Sequence, residues 1–133
     1  MIHAVIDTNV LVSVLLAKSE DSSVIKLIDA VLDGKIIPLF NNEIVAEYTE
    51  VLSRPKFNFD KEMRELLVER IVFLGEDADR TAYPESLPDE DDRVFYEVAL
   101  GTDDAYLVTG NLKHFPKTPI VVTPAQMLDI LNL

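Results

Sequence analysis

The chain has 133 residues, of which 24 are Asp or Glu and 12 are Lys or Arg, and it contains no cysteine. This length suits a single domain over residues 1–133, and the 48% hydrophobic content excludes a mainly disordered chain. The lack of cysteine excludes disulfides, thiolate zinc sites and cysteine nucleophiles. The net charge of −12 repels nucleic acid at long range, so a nucleic-acid substrate would require bound cations and a local basic patch.

No stretch approaches the roughly 18 uninterrupted apolar residues of a membrane span. The N-terminus has no basic leader, and Asp7 interrupts its apolar run too early for a secretory signal. We therefore expect a cytoplasmic protein without a membrane partner.

The apolar runs predict the elements in chain order. Ile2 to Ile6 is rich in β-branched residues, which favours a strand buried on both faces of a parallel sheet. The elements that follow are predicted as a helix from Val10 to Leu16, a helix from Val24 to Leu32 ended by Gly34, a strand from Ile36 to Phe40, a helix capped by Asn41 or Asn42 that runs to about Ser53, a helix from Lys61 to Leu74, an irregular acidic segment from Asp77 to Asp91, a buried helix from Arg93 to Leu100, strands from Tyr106 to Thr109 and from Ile120 to Val122, and a helix from Pro124 to Leu131. The order β-α-α-β-α-α-α-β-β-α predicts an α/β sandwich with a parallel sheet.

Asp7 directly follows the first predicted strand. Open α/β sheets bind their ligands beyond the carboxyl ends of the strands, so this position suits a functional carboxylate. Asp is also a preferred N-cap residue, and Asp7 stands just before a predicted helix. Both interpretations remain open from this stretch alone.

Glu47 lies on the third predicted helix, at the edge of its apolar face. Ile44, Val45, Tyr48, Val51 and Leu52 cluster within roughly 120° at the helical angle of about 100° per residue. Glu43 and Glu50 fall nearly opposite, which predicts that they are solvated. Glu47 is therefore the glutamate of this helix that suits a metal ligand, although a merely amphipathic boundary residue has the same pattern.

Four consecutive acids, Asp89 to Asp92, precede the buried helix. Asp89 or Asp91 can cap that helix, and acids are favourable near its N-terminus. Asp92 shares a helical face with Phe95 and Ala99, so it is expected to be the least mobile of the four.

Small polar residues also follow the strand that begins at Tyr106. Thr109 and Asn111 can bind a metal, its water or a phosphate oxygen, although Gly110-Asn111 is equally typical of an ordinary turn. A cluster of carboxylates without His or Cys selects hard cations, Mg²⁺ or Mn²⁺, and such ions support the hydrolysis of phosphate esters.

These segments together resemble the motifs of PIN-domain ribonucleases. The run Ile6 to Leu11 resembles the opening motif, Glu47 the mid-chain glutamate, Asp92 to Phe95 with Ala99 the third acidic motif, and Tyr106 to Asn111 the fourth motif. The resemblance covers the whole chain in order, and it is greatest to the VapC-like bacterial toxins of toxin–antitoxin pairs.

The resemblance implies a three-layer α/β/α sandwich with a short, mainly parallel sheet and a metal-dependent endoribonuclease activity on single-stranded RNA. Asp7, Glu47 and Asp92 would hold one or two Mg²⁺ or Mn²⁺ ions, supported by Thr8 and Asn9. Cleavage would leave a 3′-hydroxyl and a 5′-phosphate. Toxins of this type are usually homodimers that an antitoxin protein silences.

The chain departs from the family pattern at two positions. The fourth position is often Asp, but it is Asn111 here, which removes one charge and favours the alternative of a weak or inactive protein that acts by binding RNA or a partner. Asp104 is an uncertain extra ligand outside the core set.

Six basic or imidazole side chains near the acids are candidates for RNA contact: Arg54, Lys56, Arg93, Lys113, His114 and Lys117. Arg93 and Lys113 are favoured because each is close in sequence to a motif, although each of the six is also typical of an ordinary solvated charge. His114 is equally suited to a structural position in its loop.

Overall fold

The computed structural model describes residues 2–133, in which five strands form one sheet in the order β3-β2-β1-β4-β5 with every neighbouring pair parallel. The strands are β1 (Ile2–Ile6), β2 (Ile36–Phe40), β3 (Glu76–Asp77), β4 (Tyr106–Val108) and β5 (Val121–Val122). The helices are α1 (Thr8–Leu16), α2 (Ser23–Leu32), α3 (Asn42–Leu52), α4 (Lys61–Leu74), α5 (Arg93–Leu100) and α6 (Pro124–Ile130), with short 3₁₀ turns at Glu90–Asp92 and Leu112–His114. The predicted α/β sandwich with a parallel sheet is confirmed.

The order of the strands fixes where the layers and the site lie. The chain steps from β1 to β2 to β3 in one direction, and the intervening helices α1 to α4 contact one another, as expected when right-handed crossovers place them on one face of the sheet. It then reverses to β4 on the other side of β1, and α5, which makes this connection, packs against β1 and β4. The reversal makes the carboxyl ends of β1 and β4 the topological switch point, where open α/β sheets bind ligands.

The sequence did not predict β3: Glu76 lies between the predicted helix, which ends at Leu74, and the predicted irregular segment, which begins at Asp77. The strand has only Glu76 and Asp77, both exposed, and it pairs with Leu39 and Phe40 of β2. Such a short polar strand carries no hydrophobic pattern and forms because the backbone after α4 lies against β2. Gly75 permits this approach, since a Cβ atom there would collide with the carbonyl oxygen of Pro38.

The helices agree closely with the predicted ones and differ mainly at their ends. α1 begins at Thr8, and Asn41 caps α3 by accepting a hydrogen bond from the Ile44 amide at 2.9 Å. α5 is buried at six consecutive residues, 94–99, as its apolar composition indicated. Among residues 2–133, none of the helices combines the length and apolar composition that a membrane crossing needs.

Candidate active site

Asp7 and Thr109 lie side by side at the carboxyl ends of β1 and β4. The pairing of Ile6 with Val108 aligns the two strands, and the Asp7 amide extends it by donating to the Val108 carbonyl oxygen at 2.9 Å. The Thr109 hydroxyl donates to Oδ2 of Asp7 at 2.7 Å. Both residues are buried, with 5% and 0% of their surface exposed.

The structure separates the two interpretations of Asp7. Its backbone occupies the N-cap position of α1 in an extended conformation, but its side chain makes no capping hydrogen bond. The carboxylate instead faces β4, where it accepts the hydroxyl proton of Thr109. Asp7 is thus an N-cap residue by position only, and its carboxylate is available to the sheet edge.

Burial makes the Asp7 carboxylate costly to ionise. The pKa of Asp7 is raised from 3.8 to about 6: burial is the largest cause, the hydrogen bond from Thr109 opposes the rise, and the nearby carboxylate of Asp92 adds to it. Buried acids whose pKa is strongly raised are typical of functional sites.

The hydroxyl of Thr109 takes part in three side-chain hydrogen bonds at this end of the strands. Besides donating to Asp7, its oxygen accepts hydrogen bonds from the Asn111 amide at 3.0 Å and from Nδ2 of Asn9 at 3.4 Å. Asn9 also accepts from the Gly110 amide at 3.1 Å through Oδ1. One buried hydroxyl therefore ties the residues after β1 to the turn after β4.

Asp92 reaches the same edge through His114. Asp92 precedes α5 but does not cap it, and its Oδ2 lies 3.1 Å from Nδ1 of His114. Nε2 of His114 lies 2.9 Å from Nδ2 of Asn111. Both bonds are satisfied by the imidazole tautomer that donates from Nδ1 to Asp92 and accepts at Nε2 from Asn111.

Glu47 is half-buried on α3, whereas Glu43 and Glu50 are exposed. This difference agrees with the predicted place of Glu47 at the edge of the apolar face. Burial raises the pKa of Glu47, and repulsion from Glu50 and Asp91 adds to the rise. The pKa of Asp92 is raised in the same way, by burial and then by Asp89. All three acids of the predicted set, Asp7, Glu47 and Asp92, thus lie where a nearby cation would relieve repulsion and desolvation.

Comparison with known proteins assigns the fold. A family model described as a PIN domain matches residues 3–113. The chain belongs to the PIN-domain family. No curated protein matches the chain significantly, and no solved structure does either. PIN domains are generally nucleases, which bind nucleic acid and typically use divalent metal ions.

The oxygen atoms at this site are of the chemical type that binds a hard divalent cation. Carboxylate oxygens of Asp7, Glu47 and Asp92 are the ligands that Mg²⁺ and Mn²⁺ prefer. Next to Asp7 in the chain, the buried hydroxyl of Thr8 has no hydrogen-bond partner among residues 2–133. As the side chains stand, however, no three acidic or imidazole groups within residues 2–133 are close enough together to ligate one ion. The hydrogen bonds from Thr109 and His114 each use a single carboxylate oxygen, Oδ2 of Asp7 and Oδ2 of Asp92.

Asp104 lies away from this site. It is exposed in the turn before β4, with a positive φ of 59°, whereas Asn111 follows the carboxyl end of the same strand. Because β1 and β4 are parallel, Asp104 is at the opposite edge of the sheet from Asp7. Of the two candidates for the fourth position, the structure brings only Asn111 to the site.

The structure gives Arg93 a different role from the predicted contact with RNA. Its guanidinium donates to the carbonyl oxygens of Tyr83 and Glu85 at 2.6 and 2.8 Å and forms a two-bond ion pair with Glu90 at 2.8 and 3.0 Å. A fifth bond at 3.4 Å reaches Glu97, so every donor is used within the protein. Arg93 therefore anchors the loop before α5.

Lys113 and His114 occupy the short 3₁₀ turn after Asn111. Lys113 is exposed, and it makes no ion pair with any residue from 2 to 133. His114 is engaged with Asp92 and Asn111, so its observed contacts are structural ones within the site.

Two residues near the acids were not singled out from the sequence. Tyr48 is fully buried and donates its hydroxyl to the carbonyl oxygen of Ile6, next to Asp7. Arg80 lines an open cavity of about 330 Å³ together with Glu47 and Asp91. Tyr48 fits the core pattern of α3, and Arg80 lies in a segment without periodicity, so the sequence gives neither residue a signal of function.

Proposed function

We propose that this chain is a metal-dependent endoribonuclease that hydrolyses the phosphodiester bonds of single-stranded RNA. The observation that carries the proposal is the buried Asp7 carboxylate, fixed by Thr109 at the switch point of the sheet and electrostatically coupled to Asp92. A PIN domain is generally a nuclease, which supports this proposal.

Asp7, Glu47 and Asp92 would hold Mg²⁺ or Mn²⁺, and their raised pKa values are those of carboxylates that a cation would stabilise. When bound, such an ion supplies a nucleophile at neutral pH and stabilises charge on the reacting phosphate. Thr109 orients Asp7, and His114 orients Asp92. Asn111 completes the fourth position as a neutral group that holds His114.

The test is cleavage of labelled single-stranded RNA with Mg²⁺ or Mn²⁺ and with EDTA. We expect cleavage only with the metal, with 5′-phosphate products rather than 2′,3′-cyclic phosphates. Asp7→Asn should abolish it. The matched control is Asp104→Asn, which removes one acid at the opposite sheet edge from a position whose positive φ suits asparagine. Equal loss in both variants would contradict the assigned site.

The second candidate is a PIN-fold protein that binds RNA or a protein partner without cleaving. The neutral Asn111, whose amide is already bonded to His114, favours this alternative. It would be supported if the purified protein bound RNA but cleaved none with any divalent metal, and if Asn111→Asp introduced metal-dependent cleavage.

We also propose that the chain is the toxin of a toxin–antitoxin pair and forms a homodimer in the cytoplasm. In support of a homodimer, apolar side chains on α2 and α4 are exposed beside a groove of about 230 Å³. The exposed fractions of these residues are 49% for Leu32, 56% for Met63 and 45% for Leu66. Light scattering should show a dimer, which Leu66→Ser should weaken. Induced expression should arrest growth with the wild type and not with Asp7→Asn.

A further inference from the structure

The acidic surface near Glu47 would repel the phosphates of an RNA substrate. The net charge is −12, and the cavity beside Glu47 is also lined by Glu43, Glu90 and Asp91. Phosphates can approach only where guanidinium or ammonium groups offset these charges. Arg93 lines the cavity too, but its guanidinium is held by the backbone carbonyl oxygens of Tyr83 and Glu85, which a phosphate does not displace.

Two other arginines lie at the two ends of the Glu47 face of α3. Residues 43, 47 and 50 of α3 fall within roughly 60° of one another at the helical angle of about 100° per residue, and they span roughly 10 Å. Arg80 contacts this face at Glu43, and Arg54 follows its last turn and contacts Glu50. Glu47 is therefore flanked by a guanidinium on each side.

Arg80 has one fixed partner and one exchangeable partner. Nε and Nη2 both bind Oε1 of Glu97, at 2.9 and 2.8 Å, and the Glu97 side chain is only 8% exposed. Nη1 binds Glu43 at 2.7 Å, and the Glu43 side chain is 62% exposed. The two bonds to Glu97 fix the guanidinium in place, whereas the bond to Glu43 joins it to a carboxylate that can move into water.

Arg54 is held by an exposed glutamate alone. Its Nε and Nη2 donate to the two oxygens of Glu50 at 3.2 and 2.8 Å, and both side chains are largely exposed. This two-bond geometry is the one that a guanidinium offers to a phosphate. Exposed ion pairs contribute little to stability, so a phosphate can replace the carboxylate at small cost.

We propose that Arg54 and Arg80 are the phosphate-contacting groups for single-stranded RNA on either side of Glu47, and that Glu50 and Glu43 are exchangeable counter-ions that the RNA backbone displaces. The proposal rests on the proposed ribonuclease function, because it assigns the backbone contacts of that substrate. It also explains how so acidic a surface admits RNA, since each arginine is neutralised until a phosphate replaces its glutamate.

The experiment measures binding of fluorescein-labelled single-stranded RNA by anisotropy, in EDTA and over a series of salt concentrations. We expect Glu43→Gln and Glu50→Gln each to tighten binding by about twofold to fivefold, the range that an exposed ion pair represents. Arg54→Gln should weaken binding and lower the slope of log affinity against log salt by about 0.7, the value for one phosphate contact on a single strand. Glu43→Gln tests Arg80 without leaving the buried Glu97 unpaired.

The matched controls are Glu65→Gln and Lys61→Gln. Lys61 and Glu65 form an exposed pair with the same i, i+4 spacing on α4, and neither of them lines the cavity beside Glu47. They correct for the change in net charge alone, and we expect neither to reproduce the effects of the α3 variants.

Equal effects from the α3 variants and their α4 controls would overturn the inference and leave the proposed function standing. Absence of binding by the Glu43→Gln/Glu50→Gln double variant would also overturn it. In that case, metal-dependent cleavage of RNA by the wild type decides separately whether the proposed function fails as well.

Discussion

Replacing Asp7 with asparagine is expected to stabilise the metal-free protein at neutral pH. Asparagine keeps an oxygen that can accept the Thr109 hydroxyl, and it removes a buried charge. Functional acids are commonly held at the expense of stability, so a gain from removing one would indicate that Asp7 is placed for its role with a ligand.

The magnitude follows from the raised pKa of Asp7. A change from 3.8 to about 6 corresponds to roughly 3 kcal/mol of free energy of unfolding. Because the folded protein binds this proton more tightly than the unfolded chain, the stabilisation is complete below 3.8 and is lost as the pH rises to about 6. The free energy of unfolding of Asp7→Asn, taken relative to the wild type, should therefore be about 1 to 3 kcal/mol higher at neutral pH than in acid. This change corresponds to roughly 3 to 10 °C in Tm.

The assay is urea unfolding of the wild type and Asp7→Asn in EDTA, followed by far-ultraviolet circular dichroism from acid to neutral pH. The difference between the two proteins is the quantity of interest, because titration of the other acids largely cancels in it. Adding Mg²⁺ should then stabilise the wild type more than the variant, since an ion that binds only the folded state shifts unfolding by mass action. A difference that stays constant with pH, or a variant less stable than the wild type at neutral pH, would refute the reasoning.

Three further variants test the surroundings of the site. Thr109→Val should lower the free energy of unfolding by about 1 to 3 kcal/mol and move the acidic limb of the cleavage pH profile upward, because Asp7 loses its hydroxyl donor; an unmoved limb would contradict that link. Gly75→Ala should lower the Tm in thermal unfolding, because its Cβ would collide with the Pro38 carbonyl oxygen, and an unchanged Tm would show that the approach of β3 to β2 is looser than described. Arg93→Gln should speed proteolysis of the loop before α5 without changing the salt dependence of RNA binding, whereas a reduced salt dependence would restore the predicted contact with RNA.

The local pattern of the chain was sufficient for most of the fold. The buried runs of β1 and β2 and the amphipathic stripes of α2 and α3 are properties of neighbouring residues, so periodicity locates them. The same reasoning placed Asp7 at a strand's carboxyl end, because the place where an apolar run stops can be read directly from the sequence.

The tertiary structure decided how these pieces meet. Asp7 and Thr109 are 102 residues apart, and no local pattern predicts that one hydroxyl would turn Asp7 away from capping α1. The bond between His114 and Asp92 and the full use of the Arg93 donors likewise depend on loops brought together by folding. The sequence by itself determined which acids stand at strand ends and helix starts. Only the packing of the parallel strands decided which of these side chains share an edge, because hydrogen bonds between distant residues depend on register and rotamer rather than on composition.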